Sequence, residues 1–423
     1  MECRRRFLGL LIVLVVLSFG LLEAQAETTA VSSELATVLK TAQKKLQKGQ
    51  AHPALQTLKS WTGEKHSALF VLMGHAQTEL NELDNAKASY HAALKIDPDS
   101  REAKIALAHV AGRQGDWKNA VTQFSRLIQP HESSLTELQL YTHSAYKAAD
   151  RRLASKLTEI GLLRFPHHQT FRKLDVALLI EQGRYPEASS AALGLLSFDT
   201  GQPQIWKQLA FAQQEMKHDQ HYLAALEAAH MASPNDRKLL YAHIHAQHGA
   251  GHHEHALEVA KTWVQKRGNF HSFTRKQQEL MLEVAEAAQA ETVALKWLAE
   301  VPPAKRSKHM ILVEAKARLK KGERKRARVA LETLLNKGEN DTQLFIWAGR
   351  LAEQDGALNE AEALYRQAVV YKDKNERMAS LHLAHFLTRN QQLREASKVI
   401  GHHLRTFPGD LSAKKLLELV ETH

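Results

Sequence analysis

Six histidines fall within thirteen positions of one stretch, "YAHIHAQHGAGHHEHALEVA" (241–260): His243, His245, His248, His252, His253 and His255. Imidazole titrates near neutral pH and is a common ligand for zinc, copper and nickel. A closed metal cage needs three or four such ligands converging on one point. A pH sensor needs only that the rings change charge. Gly251 divides the stretch: three histidines precede it, and three follow at a turn and the start of a second element. That split argues against a single four-ligand cage, although His248 and His252 are separated by one turn and can approach one another. No metal and no other cofactor is expected. Patterns for nucleophilic, phosphate or zinc chemistry are missing too, with no G-x-S-x-G, no phosphate-cradling glycine loop and no H-E-x-x-H, so the chain is not expected to be an enzyme.

Where each imidazole points depends on the elements that carry it, and those elements repeat. Ala86, Ala120, Ala154, Ala188 and Ala256 lie on one lattice of 34 residues, with Tyr222 at the remaining point. Ala327, Ala361 and, one residue late, Ala396 form a second lattice. Pro98, Pro166 and Pro234 follow the period, as do Gly115, Gly183 and Gly251, then Gly322 and Gly356. Each type has a physical role in a helical hairpin. Alanine lets two helices cross closely without the helix penalty of glycine. Glycine accepts the positive φ of a tight turn, and proline stops the second helix.

The clearest unit is 67–100, in which Phe70, Met73, Gly74, Ala86, Tyr90, Ala93 and Pro98 resemble the tetratricopeptide repeat. Residues 342–375 resemble it again through Phe345, Gly349, Gly356, Ala361, Tyr365 and Ala368. The resemblance implies an all-α solenoid, a right-handed superhelix of about ten to eleven helical hairpins, over residues 27–423. Residues 271–307 lack the turn glycine and end in "VPPAK", which reads as a degenerate hairpin. A basic hairpin follows at 308–341, and the amphipathic stretch 411–421 is expected to cap the open end.

In this family the ninth position of each first helix usually faces the concave groove. The resemblance places His75, His109, His143, Ala177, Phe211 and His245 there, with Lys316, Arg350 and His385 in the later register. The fifth position adds Gln139, Lys173, Lys207 and Tyr241. Read this way, the groove is a ladder of imidazoles and cations without acidic residues in either row. Its charge is expected to rise as pH falls from about 7.5 to 5.5. A second basic feature, 304–330, holds eleven Lys or Arg against two Glu. Its turn, with Lys320, Lys321, Arg324, Lys325, Arg326 and Arg328, is a candidate docking patch for an acidic protein, an anionic polymer or a lipid headgroup.

The N-terminus reads as a targeting segment. "MECRRR" is basic, Phe7 to Leu22 is an apolar run, and Ala24 to Ala26 offers small residues for cleavage, so residues 1–26 are expected to be a signal peptide. The alternative is an inner-membrane anchor formed by residues 7–22. The only cysteine, Cys3, lies within this segment, which leaves no disulfide or thiolate chemistry to the mature chain. The net charge of +11 favours acidic partners. Nucleic acid suits that charge but not export. Together these readings point to a non-catalytic periplasmic scaffold that holds protein or peptide segments in its groove, with peripheral membrane contact through the basic turn. Two alternatives stand beside it: a module handling anionic exopolysaccharide, and a histidine-rich metal-binding protein.

Overall fold

The structure, a computed structural model, describes residues 32–336, 338–339, 341–371 and 375–422. The expected signal peptide, 1–26, and the alternative anchor, 7–22, lie outside the described residues. Among those described there is no strand, and no helix is long and apolar enough to cross a membrane.

The chain forms two compact units, divided after Ala232. The first unit holds six hairpins: α1 (Ser33–Gln47) with α2 (Ala51–Lys59), α3 (Ser67–Glu79) with α4 (Leu83–Ile96), α5 (Arg101–Arg113) with α6 (Trp117–Leu127), α7 (Leu135–Lys147) with α8 (Arg151–Arg164), α9 (Gln169–Glu181) with α10 (Tyr185–Leu196), and α11 (Pro203–Glu215) with α12 (Asp219–Ala232). The second holds five more: α13 (Arg237–Gly249) with α14 (His253–Arg267), α15 (Arg275–Ala287) with α16 (Glu291–Ala299), α17 (Lys308–Lys320) with α18 (Arg324–Leu335), α19 (Thr342–Gln354) with α20 (Leu358–Val370), and α21 (Glu376–Arg389) with α22 (Leu393–Thr406). A single helix, α23 (Leu411–Glu421), follows. Within each unit the second helix of a hairpin packs on the first helix of the next. First helices also touch one another, as α3 touches α5 and α17 touches α19.

The 34-residue period is written in backbone chemistry as well as in packing. N-caps of the first helices fall at His66, Ser100, Ser134, His168, Gln202 and Asp236. At several of these a side chain accepts an N–H that the first helical turn cannot otherwise satisfy. Ser134 and Glu137 complete a reciprocal capping box. Lattice alanines 86, 120, 154, 256, 327, 361 and 396 are fully buried at the crossings. The hairpin turn places one residue in the left-handed region each time: Asn81, Gly115, Ala149, Gly183, Lys217 and Gly251, at φ between 59° and 98°. Side chains with a Cβ occupy that region at a cost of about 1–2 kcal/mol. Helix packing on either side therefore dictates the turn, and glycine only relieves it.

The hairpin at 271–307 keeps this geometry without glycine, because Gln289 takes the left-handed position at φ 53°. Its second helix, α16, has 9 residues. Aromatic rings pack beside it. Trp297 stacks on Phe270 at 5.3 Å, and Trp263 meets Phe273 edge-on at 4.3 Å. At the far end, α23 buries Ala413, Leu416 and Val420 in the same core as Ile400 of α22.

Candidate ligand-binding face

The first helices carry the candidate face, and the two units build it differently. In the first unit His75 (α3), His109 (α5) and His143 (α7) stand on successive first helices. His75 lies edge-on to Tyr90 at 5.7 Å, and His143 lies edge-on to Trp117 at 5.6 Å. Burial lowers the His75 pKa to about 4. Burial does the same for His109, also to about 4, helped by the charges of Arg113, His75 and His143. His143 is lowered too, by burial and then by Lys147. Transfer of a cation out of water disfavours the protonated ring. The expected gain of charge between pH 7.5 and 5.5 is therefore corrected: His75 and His109 are neutral throughout that range. The two rows hold no acid of their own, but Glu102, at the second position of the next first helix, stands 3.5 Å from His75. Lys173 and Lys207 are half-buried, and Phe211 is exposed with its ring edge against Tyr185 at 6.1 Å.

In the second unit Tyr241 stacks on His245 at 6.1 Å, with the Lys276 ammonium 5.7 Å from the Tyr241 ring. Lys316 is buried at 8% exposure, and its Nζ donates to Glu286 at 2.9 Å and to Gln343 at 3.2 Å. That ammonium is already satisfied. Arg350 differs. Its guanidinium lies 4.8 Å from the centre of the Trp347 ring, and no carboxylate among the described residues comes within ion-pair distance. On α21, His382 stacks on Tyr365 and is held at about 4 by burial and then by Arg350, while His385 is lowered by burial and then by Arg389. Arg389 donates twice to Glu353, at 3.0 and 2.8 Å, and the Tyr365 hydroxyl donates to the other Glu353 oxygen at 2.9 Å. Glu286 and Glu353, each the twelfth residue of its helix, were invisible to a reading of rows five and nine. Trp347, at the sixth position of α19, was missed for the same reason.

The basic turn is largely self-neutralised. Lys320 pairs with Glu291 at 2.9 Å, Arg326 with Glu323 at 3.2 Å, and Arg328 with Asp355 at 2.6 Å, while Arg324 stands 3.8 Å from Asp355. Lys321 and Lys325 are exposed with no ion pair among the described residues. Surface pairs of this kind are weak, about 0–1 kcal/mol each, so a partner here would compete with them at little cost.

Two further groups resemble reactive sites. Ser380, His403 and Asp410 form a relay, with Ser380 Oγ 2.7 Å from His403 Nδ1 and His403 Nε2 3.0 Å from Asp410 Oδ2. All three are buried. Asp410 also accepts from Arg377 at 2.7 Å and from the backbone N–H of Ala413 at 3.2 Å; Arg377 first, with His403 and that N–H, holds its carboxyl well below the usual range. The relay thus acts as an N-cap latch that fastens α23, and its hydroxyl is sealed from any substrate. In the histidine stretch, His243 is buried with its ring 5.7 Å from that of His255. His252 Nδ1 meets Gln247 Oε1 at 2.9 Å. His248 pairs with His253, one residue beyond the expected neighbour His252, with 3.0 Å between the two Nδ1 atoms.

A sequence profile of the tetratricopeptide repeat matches residues 67–100. Over 108 residues the chain is 32% identical to the flagellar hook-associated protein 2 of Treponema maltophilum, a match that spans 26% of this chain and 14% of that relative's length. Among solved structures it is similar to YrrB, a tetratricopeptide-repeat protein with an unusual peptide-binding site, at 17% identity over 45% of this chain and 96% of that one, with a TM-score of 0.38. It is also similar to the Cut9–Hcn1 hetero-tetramer of the APC/C, at 13% identity over 91% and 83% of the two chains, with a TM-score of 0.40. The profile match at 67–100 coincides with α3, α4 and the N-cap of α5, and the same turn, cap and crossing recur through both units. Residues 67–100 are thus a tetratricopeptide repeat, set in an all-helical array of similar hairpins. That fold generally serves as a non-catalytic scaffold for protein binding.

Proposed function

We propose that the chain is an exported, periplasmic, non-catalytic scaffold for envelope assembly that binds an extended acidic segment of a protein partner along the first-helix face of its second unit. The observation that carries this reading is Arg350, a cation oriented by Trp347 and not paired to a carboxylate. An arginine held in place by stacking loses less freedom on binding and presents a planar fork to a carboxylate. Lys316 beside it contributes less, because Glu286 competes for its ammonium. The basic start, apolar run and small-residue site in residues 1–26 support export.

The binding test is a titration of the purified chain with an extended glutamate-rich peptide. Arg350→Glu is expected to weaken binding about tenfold or more, since it replaces attraction by like-charge repulsion. Lys316→Gln should cost less. Added salt should weaken the complex, whereas lowering the pH from 7.5 to 5.5 should leave the contribution of His382, neutral over that range, unchanged. An Arg350→Glu chain that binds as tightly as the parent would remove the face from consideration. An Arg350-dependent response to a polyuronate but not to the peptide would assign the face to a glycan. Export is tested by intact-mass measurement of the protein from envelope fractions. The expected N-terminus is Glu27, and retention of residues 1–26 in the membrane fraction would replace the periplasmic form by an anchored one.

A further inference from the structure

We propose that His248 and His253 form a two-imidazole chelate for a divalent transition-metal ion, copper(II) foremost, at the turn between α13 and α14. Two nitrogens bound to one metal at about 2.0–2.1 Å, with an angle between them of about 90–110°, stand about 2.9–3.4 Å apart. The two Nδ1 atoms are 3.0 Å apart. They already have the spacing of adjacent ligands and share one hydrogen bond, whose proton the metal would displace; the ring planes are inclined at 54° with centres 4.8 Å apart.

Rigidity follows from the hairpin. His248 sits in the last turn of α13 and His253 begins α14, so both are carried by helices. The turn between them is held by Gly251 at φ 84° and by the N–H of His252 donating to the carbonyl of Gln247 at 2.9 Å. The His252 ring is engaged with Gln247 Oε1, which keeps it out of the bite. Both chelating rings are half-buried, so solvent and ions reach them. Preorganised ligands lose little freedom on chelation, and the second bond then forms at high effective concentration.

Electrostatics agree with the geometry. Burial, and then the neighbouring His253, disfavour the protonated form of His248. The carboxylate of Glu283 on α15 acts in the opposite sense and favours positive charge at His248. A dication enjoys that field without needing a proton. Two nitrogens and water satisfy copper(II), which heads the affinity order for divalent ions at nitrogen sites, whereas zinc at a structural site asks for four protein ligands.

The test is a copper(II) titration of the full chain, free of any histidine tag, followed by calorimetry and by nitrogen hyperfine splitting in electron paramagnetic resonance. The tightest equivalent should show coupling to two imidazole nitrogens. His248→Gln and His253→Gln should each weaken that equivalent about tenfold or more, because each removes one arm of the chelate. His252→Gln should leave it unchanged. Unaltered circular dichroism checks that each variant folds. A tightest equivalent that survives the double variant His248→Gln/His253→Gln would overturn the assignment, as would its equal loss in His252→Gln. Peptide binding by the Arg350 variants is measured separately, so either proposal can fail alone.

Discussion

Replacing Arg306 by alanine is expected to destabilise the second unit by about 3 kcal/mol, a large effect for one side chain. Arg306 stands where the degenerate hairpin ends. Its Nε donates to the carbonyl of Val301 at 2.9 Å and its Nη2 to that of Leu298 at 2.8 Å. Both carbonyls lie where α16 ends; that of Leu298 also accepts from the N–H of Val301 at 3.1 Å, whereas that of Val301, beyond the helix, depends on Arg306. The remaining nitrogen pairs with Glu314 of α17, and the side chains of the pair are only 14% and 12% exposed. One guanidinium thus closes a short helix and ties it to the next hairpin. Alanine would strand the Val301 carbonyl, leave that of Leu298 to backbone N–H groups alone, and remove half of a shielded pair, a loss that Arg318, also bonded to Glu314 at 2.8 Å, offsets only in part. Lysine would keep the charge but not the fork, and should recover about half of the loss. Denaturant titration with amide exchange across α15 to α17 measures it. Loss of protection should concentrate in α16 and the N-terminus of α17. A variant within about 0.5 kcal/mol of the parent would show that the aromatic packing around Trp297 holds this seam without help.

The contrast between this seam and the regular hairpins marks what the sequence discloses. Hairpin positions were legible because alanine crossings, glycine turns and helix-ending prolines each answer to local backbone chemistry. Even so, the left-handed turns at Asn81, Ala149 and Lys217 carry no glycine. They are set by the packing of the helices they join. The candidate face was legible as a set of positions but not as a charge distribution. His75 and His109 occupy the expected row, yet burial by neighbouring hairpins, which no single repeat contains, keeps them neutral. Lys316 likewise appeared as a free cation until Glu286, 30 positions away in sequence, was seen to hold it. Arg306 escaped notice because its partners are mostly backbone carbonyls, which leave no mark in residue types. In the histidine stretch, helical periodicity separated the two triplets correctly. The choice between His252 and His253 as the partner of His248 depends on the turn's dihedral angles.

Glycine within the helices offers a sharper test of the packing, because the same substitution should change sign with position. Gly161→Ala in α8 is expected to destabilise the first unit by about 2 kcal/mol. A Cβ there would stand within 2.6 Å of three atoms of the Phe171 ring. Phe171 has no exposed surface, and its ring is hemmed in by Phe165, stacked at 6.4 Å, and by His168 at 5.7 Å. The ring cannot turn aside without disturbing the contact between α8 and α9. Overpacking of this kind outweighs the gain of about 0.5–1 kcal/mol that alanine brings to a helix interior. Gly401→Ala in α22 meets nothing within 4 Å. There only the backbone entropy and helix propensity terms operate, and the variant should be more stable by up to about 1 kcal/mol. Thermal and denaturant unfolding of the two variants beside the parent decides the matter. If Gly161→Ala is as stable as Gly401→Ala, then α8 and α9 yield easily and the repeat interface is looser than its close contacts imply. If only Gly161→Ala falls, and Phe171→Leu in the same chain restores part of the loss by making room, then the interface between those hairpins is set by the approach of one ring to one missing side chain.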